Sequence, residues 1–193
     1  MSLESALEEY PKTATLKNGF TCDIRPLQAS DEKAFLEFFH AVPERERMVI
    51  KHRVTEPEVI RHWCQNIDLG RNLPLLALAN GKILADCTLH QQLGGWKRHV
   101  GRVSILVHKD YRGRGLARTL VSEGIEIARQ CGLERLEAEF IGEQEAAMKI
   151  FAFHGFAPLL RLPEYVKDMQ AVTHDYILMG LDLITDEEYA GMG

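Results

Sequence analysis

The stretch from residue 100 to residue 140 constrains the fold more than any other part of the sequence. An extended run, Val100–Val107, leads through a loop with two glycines into a helical run over residues 115–131. Gly132 ends that helix, and residues 136–140 then alternate between apolar and acidic side chains. A strand, a helix and a second strand in this order form a right-handed crossover between parallel strands. The sequence therefore predicts an α/β fold with at least one parallel pair of strands.

The rest of the chain alternates between helical and extended periodicity. Thr55 and Glu58 have the spacing of a capping box before a helix. The dipeptide Asn80-Gly81 between two apolar runs predicts a β-hairpin. The remaining predicted elements are strands at 20–25, 75–79, 83–89, 156–162 and 176–183 and helices at 34–42, 59–67 and 147–154, with an excursion over 163–173. The predicted order is β-α-α-β-β-β-α-β-α-β-β, a mixed sheet of about seven strands with helices on its faces.

Length and composition exclude several classes of protein. The chain has 193 residues and a formal net charge of −5, which suits one globular domain and not a basic nucleic-acid-binding protein. Its four cysteines lack metal-ligand or disulfide spacing, so we expect reduced thiols, no metal and a cytoplasmic protein. We also expect no secretion signal and no membrane partner. The predicted organisation is an arm over 1–19, one domain over 20–183 and a tail over 184–193.

The loop between the strand and the helix carries the chemistry. Gly113 and Gly115 permit backbone conformations in which several N–H groups converge on one anion, and the helix start adds the positive end of its dipole. Arg112 and Arg114 add full charges. The loop lacks a Gly-Lys-Ser/Thr, and Arg118 replaces the third glycine of a dinucleotide fingerprint. The pattern predicts a cradle for a phosphate or diphosphate, and the alternative is an ordinary glycine-rich turn with solvated arginines.

Two motifs resemble those of the GNAT superfamily of N-acetyltransferases. Arg112-x-x-Gly115-x-Ala117 is similar to the acyl-CoA pyrophosphate loop of that family, and the segment from Gln144 to Phe156 is similar to its second motif. The resemblance covers residues 20–183, and the start of the domain also resembles bacterial protein lysine acetyltransferases. It implies a mostly antiparallel twisted sheet, acetyl-CoA as cosubstrate, and direct attack of a primary amine on the thioester in a ternary complex.

The resemblance also implies where acetyl-CoA lies. Pantetheine would occupy a V-shaped opening between the two parallel strands, with the backbone N–H of Leu106 or its neighbour Val107 polarising the thioester carbonyl. The residues assigned in this way to cofactor binding are Ile105, Leu106, Val107, Arg112, Gly113, Arg114, Gly115, Leu116, Ala117, Gln144, Ala147, Ile150 and Phe151.

The sequence departs from the family at three positions. Phe151 stands where a tyrosine commonly protonates the departing thiolate, Gln144 replaces an asparagine, and Arg102 lies near the position of a frequent glutamate. A thiol with a pKa of about 8.5 leaves without help from an acid, so the missing base matters more. We assign Glu139 as the base. The other candidate bases are Glu137 and His90, and the candidate acids are Tyr165 and Tyr176.

Activity and acceptor stay open at the level of the sequence. Because usual catalytic positions are empty, a non-catalytic module that binds or senses acyl-CoA is the alternative to an enzyme. The acceptor amine can be a small molecule or a protein lysine, since a net charge of −5 favours only a cation. We expect it among the two N-terminal helices, the 91–98 loop and the 163–173 segment, and we expect a homodimer through the exposed last strands.

Overall fold

A computed structural model describes residues 3–50 and 52–184, and of Asn18 it describes only the backbone. Most of the predicted tail, residues 185–193, lies outside the described residues. The helices are α1 (Leu3–Leu7), α2 (Glu32–Ala41), α3 (Glu44–Arg47), α4 (Pro57–Gln65), α5 (Leu116–Gln130) and α6 (Glu145–Phe153). The strands are β1 (Lys12–Thr15), β2 (Thr21–Pro26), β3 (Asn72–Ala79), β4 (Lys82–His90), β5 (Val100–Val107), β6 (Arg135–Ile141), β7 (Ala157–Lys167) and β8 (Thr173–Asp182).

The eight strands form one sheet in the order β1-β2-β3-β4-β5-β6-β8-β7. Neighbouring strands run antiparallel except β5 and β6, which run parallel as the crossover through α5 predicts. The predicted fold class is thus confirmed. The sheet has one strand more than predicted, because Lys12–Thr15 of the expected arm pairs with β2 as an edge strand. No helix in the described part of the chain is long and apolar enough to cross a membrane.

The strands β5 and β6 pair only at their first residues. Val100, Gly101 and Arg102 lie opposite Arg135–Glu137 in register, although β5 continues to Val107 and β6 to Ile141. Glycine is needed where they meet, since a Cβ on Gly101 would lie 2.7 Å from Leu133 Cδ1. Beyond Arg102 the facing edges of the two strands separate, which produces the V-shaped opening that the resemblance implies.

The two faces of the sheet carry separate apolar clusters. On one face, α5 packs its buried side chains, among them Leu120, against β3, β4 and β5. On the other face, α2 and α4 bury Phe35 and Ile60 against Leu76 of β3 and Leu106 of β5. We call this second face the acceptor face, because the sequence predicts that the acceptor amine binds among these helices. The helices α2 and α4 cover this face only as far as β5. Ser104 lies on the same face of β5 as Leu106, and it is exposed.

The Asn80-Gly81 hairpin is confirmed, with φ of +50° and +72° at the two turn residues. Two other local predictions are wrong. Thr55 does not cap α4, which begins at Pro57 with Glu56 in the N-cap position, because proline is preorganised for the first helical position. The excursion over 163–173 is shorter than predicted, since β7 continues to Lys167 and pairs with the start of β8.

Candidate active site

The loop between β5 and α5 presents backbone N–H groups to open space. Gly113 and Gly115 have φ of +77° and +96°, conformations that favour glycine, and a Cβ on either would meet nothing within 4 Å. The first bond of α5 joins the Thr119 N–H to the Gly115 carbonyl at 3.1 Å. The N–H groups of Leu116 and Ala117 precede that bond and point out of the helix start. Such a terminus suits an anion of the size of a diphosphate.

The two arginines of the loop lie beside this cradle and contact the protein. Arg112 Nη2 donates to Glu46 Oε2 of α3 at 2.6 Å. The Arg114 guanidinium lies over the rings of Phe20 and Tyr111, at 5.4 and 5.0 Å from their centroids. Arg112 therefore has to exchange a carboxylate for a phosphate before it can bind a diphosphate. Arg114 is held by the aromatic faces and by a hydrogen bond to the Asp110 carbonyl at 3.3 Å, and among the described residues no carboxylate pairs with its charge.

The open edge of β5 offers backbone groups to a ligand in the V-shaped opening. The His108 N–H donates to the Leu84 carbonyl of β4 at 2.8 Å, and alternate residues of a strand point their N–H groups to the same side. The Leu106 N–H therefore faces β4, so the predicted oxyanion role of Leu106 is wrong. The N–H groups that face the opening belong to Ile105 and Val107.

Phe151 does not line the opening, contrary to the prediction. Its side chain is fully buried and packs edge-to-face against Phe140 and Phe156, with ring centroids 5.1 and 4.9 Å away. An aromatic ring without a hydroxyl gains more from this apolar cluster than from a polar surface. Phe151 is therefore a core residue and leaves no acid at that position.

Gln144 is turned back towards its own strand. Its Oε1 accepts a hydrogen bond from the Ile141 N–H at 2.9 Å, just before α6. The amide therefore stabilises the end of β6. Ala147 and Ile150 of α6 are half-buried and pack against the apolar cluster on the face of the sheet that α5 covers.

A cleft of about 280 Å³ lies on the acceptor face, where β5 and β6 begin to separate. Two cation–carboxylate pairs lie in it. Arg102 Nη1 is 3.0 Å from Glu139 Oε2, and Lys97 Nζ is 3.1 Å from both oxygens of Glu137. The lining residues are Asn72, His90, Gln91, Gln92, Lys97, Val100, Gly101, Arg102, Glu137 and Glu139. A small ligand that carries both signs of charge is the natural occupant of such a cleft.

Glu139 links the cleft to β8. While its Oε2 accepts from Arg102, its Oε1 accepts from the Tyr176 hydroxyl at 3.1 Å. Burial raises the pKa of Tyr176 to about 12, and the charge of Glu139 adds to that shift. Tyr176 therefore keeps its proton at neutral pH, with the ring of Tyr165 beside it at 6.1 Å. Of the predicted acids and bases, His90, Glu137 and Glu139 are thus brought together in one cleft.

One carboxylate on the acceptor face was not predicted from the sequence. Asp86 lies in β4, opposite Leu76 of β3 and Leu106 of β5. Burial raises its pKa to about 7, although a hydrogen bond from Thr88 opposes the shift. The signal in the sequence is a carboxylate in the middle of an apolar central strand, where its burial needs a reason other than packing.

Comparisons with known proteins identify the family of the chain. The acetyltransferase (GNAT) family matches residues 34–156, more than half of the chain and all of the loop from Arg112 to Ala117. The chain belongs to the GNAT family. Membership makes this GNAT protein an acetyl-CoA-dependent N-acetyltransferase, with acetyl-CoA as the cosubstrate that the sequence predicts.

Individual relatives are distant. The GNAT chain is 30% identical to an L-amino acid N-acyltransferase of Escherichia coli over 107 residues, which are 53% of this chain and 60% of that protein. It is 23% identical to an L-methionine sulfoximine/L-methionine sulfone acetyltransferase of Salmonella typhimurium, over 73% of this chain and 83% of that protein. A Salmonella typhimurium acetyltransferase solved with acetyl-CoA has the same fold, with a TM-score of 0.73 and 21% identity over 84% of this chain and 94% of that one.

Proposed function

We propose that the acceptor is a small zwitterionic amine, such as an amino acid, and that it attacks acetyl-CoA directly in a ternary complex. The observation that carries the proposal is the two ion pairs, Arg102 with Glu139 and Lys97 with Glu137, beside the opening of the sheet. A zwitterion can replace both partners of such a pair, because its carboxylate binds the cation and its ammonium binds the carboxylate. The names of two relatives, which act on amino acids or their analogues, support the same class.

The backbone of the chain fits acetyl-CoA, which supplies the activated acetyl group as a thioester. The N–H groups from Gly113 to Ala117 would hold the diphosphate, with Arg112 beside them. Ile105 and Val107 would bind the pantetheine arm, and the N–H of one of them would donate to the carbonyl oxygen as negative charge develops there. None of these roles requires a side chain to leave the core.

The reaction forms a C–N bond and breaks a C–S bond, while the amine loses a proton. An alkylammonium has a pKa of about 10, so a group on the acceptor face has to accept that proton. Glu139 is placed to hold the ammonium, as it already accepts two hydrogen bonds in the cleft. Tyr176 stays protonated at neutral pH and donates to Glu139 at 3.1 Å, and it is the side chain that would supply a proton to the departing thiolate.

A panel of amines tests the proposal through the release of CoA thiol from acetyl-CoA. The panel contains L-amino acids, L-methionine sulfone, their methyl esters, spermidine and a lysine-containing peptide. We expect turnover with some of the free amino acids and at least tenfold lower kcat/KM with the matching esters, which lack the carboxylate. Turnover with the peptide alone would show a protein acceptor, and acetyl-CoA binding without any turnover would show a sensor.

We further propose that two copies of the chain associate along β7. This strand is one of the two edges of the sheet, and its Leu159 and Leu160 side chains are 55% and 43% exposed. A long apolar edge strand is a surface that proteins usually cover. Light scattering on a sizing column should give twice the 21.9 kDa of one chain, and Leu159→Lys should return the mass to 21.9 kDa.

A further inference from the structure

We propose that Asp86 accepts the proton that the acceptor amine loses during acetyl transfer. The inference rests on the proposed function and names a residue for a step that the sequence left to Glu139. It starts from the position of the carboxylate on the acceptor face, one strand away from the opening.

The register of the sheet places Asp86 on β4, level with Leu106 of β5 and on the side of β5 away from the opening. His90 of β4 lies opposite Arg102, at the cleft, and Asp86 lies opposite Leu106, four residues nearer to the loop. Side chains opposite each other in an antiparallel pair have Cβ atoms about 4.5–5.5 Å apart. An amine that approaches β5 over Ser104 therefore passes within reach of the Asp86 carboxylate, directly or through one water.

Ser104 makes that approach possible. It lies on the acceptor face between Arg102 and Leu106, its side chain is exposed, and it is opposite Thr88 on β4. A larger residue at this position would fill the space over the strand. The amine thus has a path from Arg102 towards the N–H groups of Ile105 and Val107, where the thioester carbonyl would be held.

The surroundings of Asp86 suit a group that gains and loses a proton near neutral pH. Thr88 Oγ1 donates to the carboxylate, at 3.0 and 3.2 Å from its two oxygens. The helices packed on this face contribute Phe35, Phe38, Phe39, Ile60 and Cys64. Of these only Cys64 ionises, and burial raises its pKa to about 11, so it stays neutral. Leu76 and Leu106 flank the carboxylate on the neighbouring strands. The charged or titratable side chains around this apolar part of the face are Arg102 on β5, His108 just after β5, His90 on β4, and Arg25 on β2, which lies opposite Leu76 and is paired with Asp31 at 2.7 Å.

Asp86 and Glu139 therefore differ in what they can do. Both oxygens of Glu139 already accept hydrogen bonds from Arg102 and Tyr176, and its side chain is 41% exposed. Asp86 is half-buried, and burial favours its neutral form. Glu139 binds the ammonium, whereas Asp86 takes the proton as the nitrogen attacks the acetyl carbon. The electron pair of the breaking C–S bond leaves with sulfur, and Asp86 then returns the proton to solvent or to the thiolate.

Three variants test the assignment, with acetyl-CoA and a mixture of L-amino acids as substrates. Asp86→Asn keeps the shape and can still accept from Thr88, so it should fold and bind acetyl-CoA. We expect its kcat to fall about 100-fold, the usual effect of losing a general base. We also expect the decrease of kcat at acidic pH, which we call the acid limb of the pH profile, to disappear. Thr88→Val removes the hydrogen bond that opposes the raised pKa of Asp86, so the acid limb should move to higher pH. Glu139→Gln should raise the KM for the amine and leave the limb in place.

The outcomes separate this inference from the proposed function. If the wild-type chain transfers acetyl groups and Asp86→Asn keeps the acid limb and more than a tenth of kcat, Asp86 is not the proton acceptor. If the wild-type chain is inactive with every amine, the proposed function fails and this assignment fails with it. If Asp86→Asn no longer shows a rise in melting temperature with acetyl-CoA, that variant cannot test the assignment, and the pH dependence of kcat in Thr88→Val tests it instead. An acid limb at the same pH in Thr88→Val and the wild type would overturn the assignment.

Discussion

The loop proposed to hold acetyl-CoA and the cleft proposed to hold the acceptor amine are built in different ways. The loop from Arg112 to Ala117 presents backbone N–H groups, and its shape depends on two glycines with positive φ at the start of one helix. The cleft presents side chains from four strands and a loop, of which Lys97, Arg102 and Glu139 are examples.

The difference explains how each region tolerates change. A backbone site depends on conformation, so one substitution can remove it without altering any charge. The cleft depends on ion pairs between residues that are 37 and 40 positions apart in sequence. A single neutralising substitution there should weaken one contact and leave the rest. The following substitutions test this contrast, in order of decreasing effect.

Gly115→Ala should weaken acetyl-CoA binding about 100-fold, because alanine disfavours a φ of +96° and the N–H groups of the loop would turn away. The measurement is the rise in melting temperature at saturating acetyl-CoA. A ligand at 100 times its Kd stabilises by about 2.7 kcal/mol, which is about 5–11 °C for a chain of this size. Gly132→Ala is the matched control, since Gly132 has a φ of +76° at the other end of α5. Equal loss of binding in both variants would show that the loop conformation has no special role.

Arg102→Gln should raise the KM for the amino-acid acceptor about tenfold, because one charged hydrogen bond to a ligand carboxylate contributes about 1.5–3 kcal/mol at most. The KM for acetyl-CoA should not change. The control is Arg135→Gln. Arg135 is on the same strand as Glu139, and its exposed guanidinium pairs with Asp182 at 2.6 Å. A rise in the acetyl-CoA KM in Arg102→Gln would mean that the two regions are not separate.

Glu46→Gln should tighten acetyl-CoA binding by up to about fivefold, since it frees Arg112 from an exposed ion pair that is worth about 0–1 kcal/mol. Isothermal titration measures the change. Glu44→Gln removes the same charge from the same short helix and should have no effect. Weaker binding in Glu46→Gln would show that the carboxylate positions Arg112 for the diphosphate.

His174→Gln should give the smallest effect, on the pH dependence of stability. The pKa of His174 is raised by its hydrogen bonds to Glu143 at 2.9 Å and to Asp168 at 3.2 Å. A raised pKa stabilises the folded state fully below the ordinary pKa of 6.5 and loses that effect as pH rises through the folded value. The melting temperature of the wild type should therefore exceed that of the variant near pH 5.5 and approach it in alkaline buffer. His40→Gln, on the exposed side of α2, should show no such trend.

Much of the site could be predicted because it follows one contiguous stretch of chain. The glycines, the helix start and the parallel crossover all lie between residues 100 and 140. The error at Leu106 has a different origin: the phase of a strand ladder depends on which neighbour pairs with it, and the bond from His108 to Leu84 decides it. Phe151 is similar, because a helix has several apolar directions and only the packed rings of Phe140 and Phe156 show which one points inward.

Periodicity, turn chemistry and glycine conformations are local properties of the chain, and the order of most elements, the hairpin at Asn80-Gly81 and the positive-φ glycine loop at Gly115 follow from them. The contact of Arg102 with Glu139, the pairing of β1 with the sheet and the position of Asp86 opposite Leu106 depend on the fold as a whole. These contacts join segments far apart in the chain. The free energy that selects them comes from burial and pairing across the sheet, and a single segment contains only one partner of each.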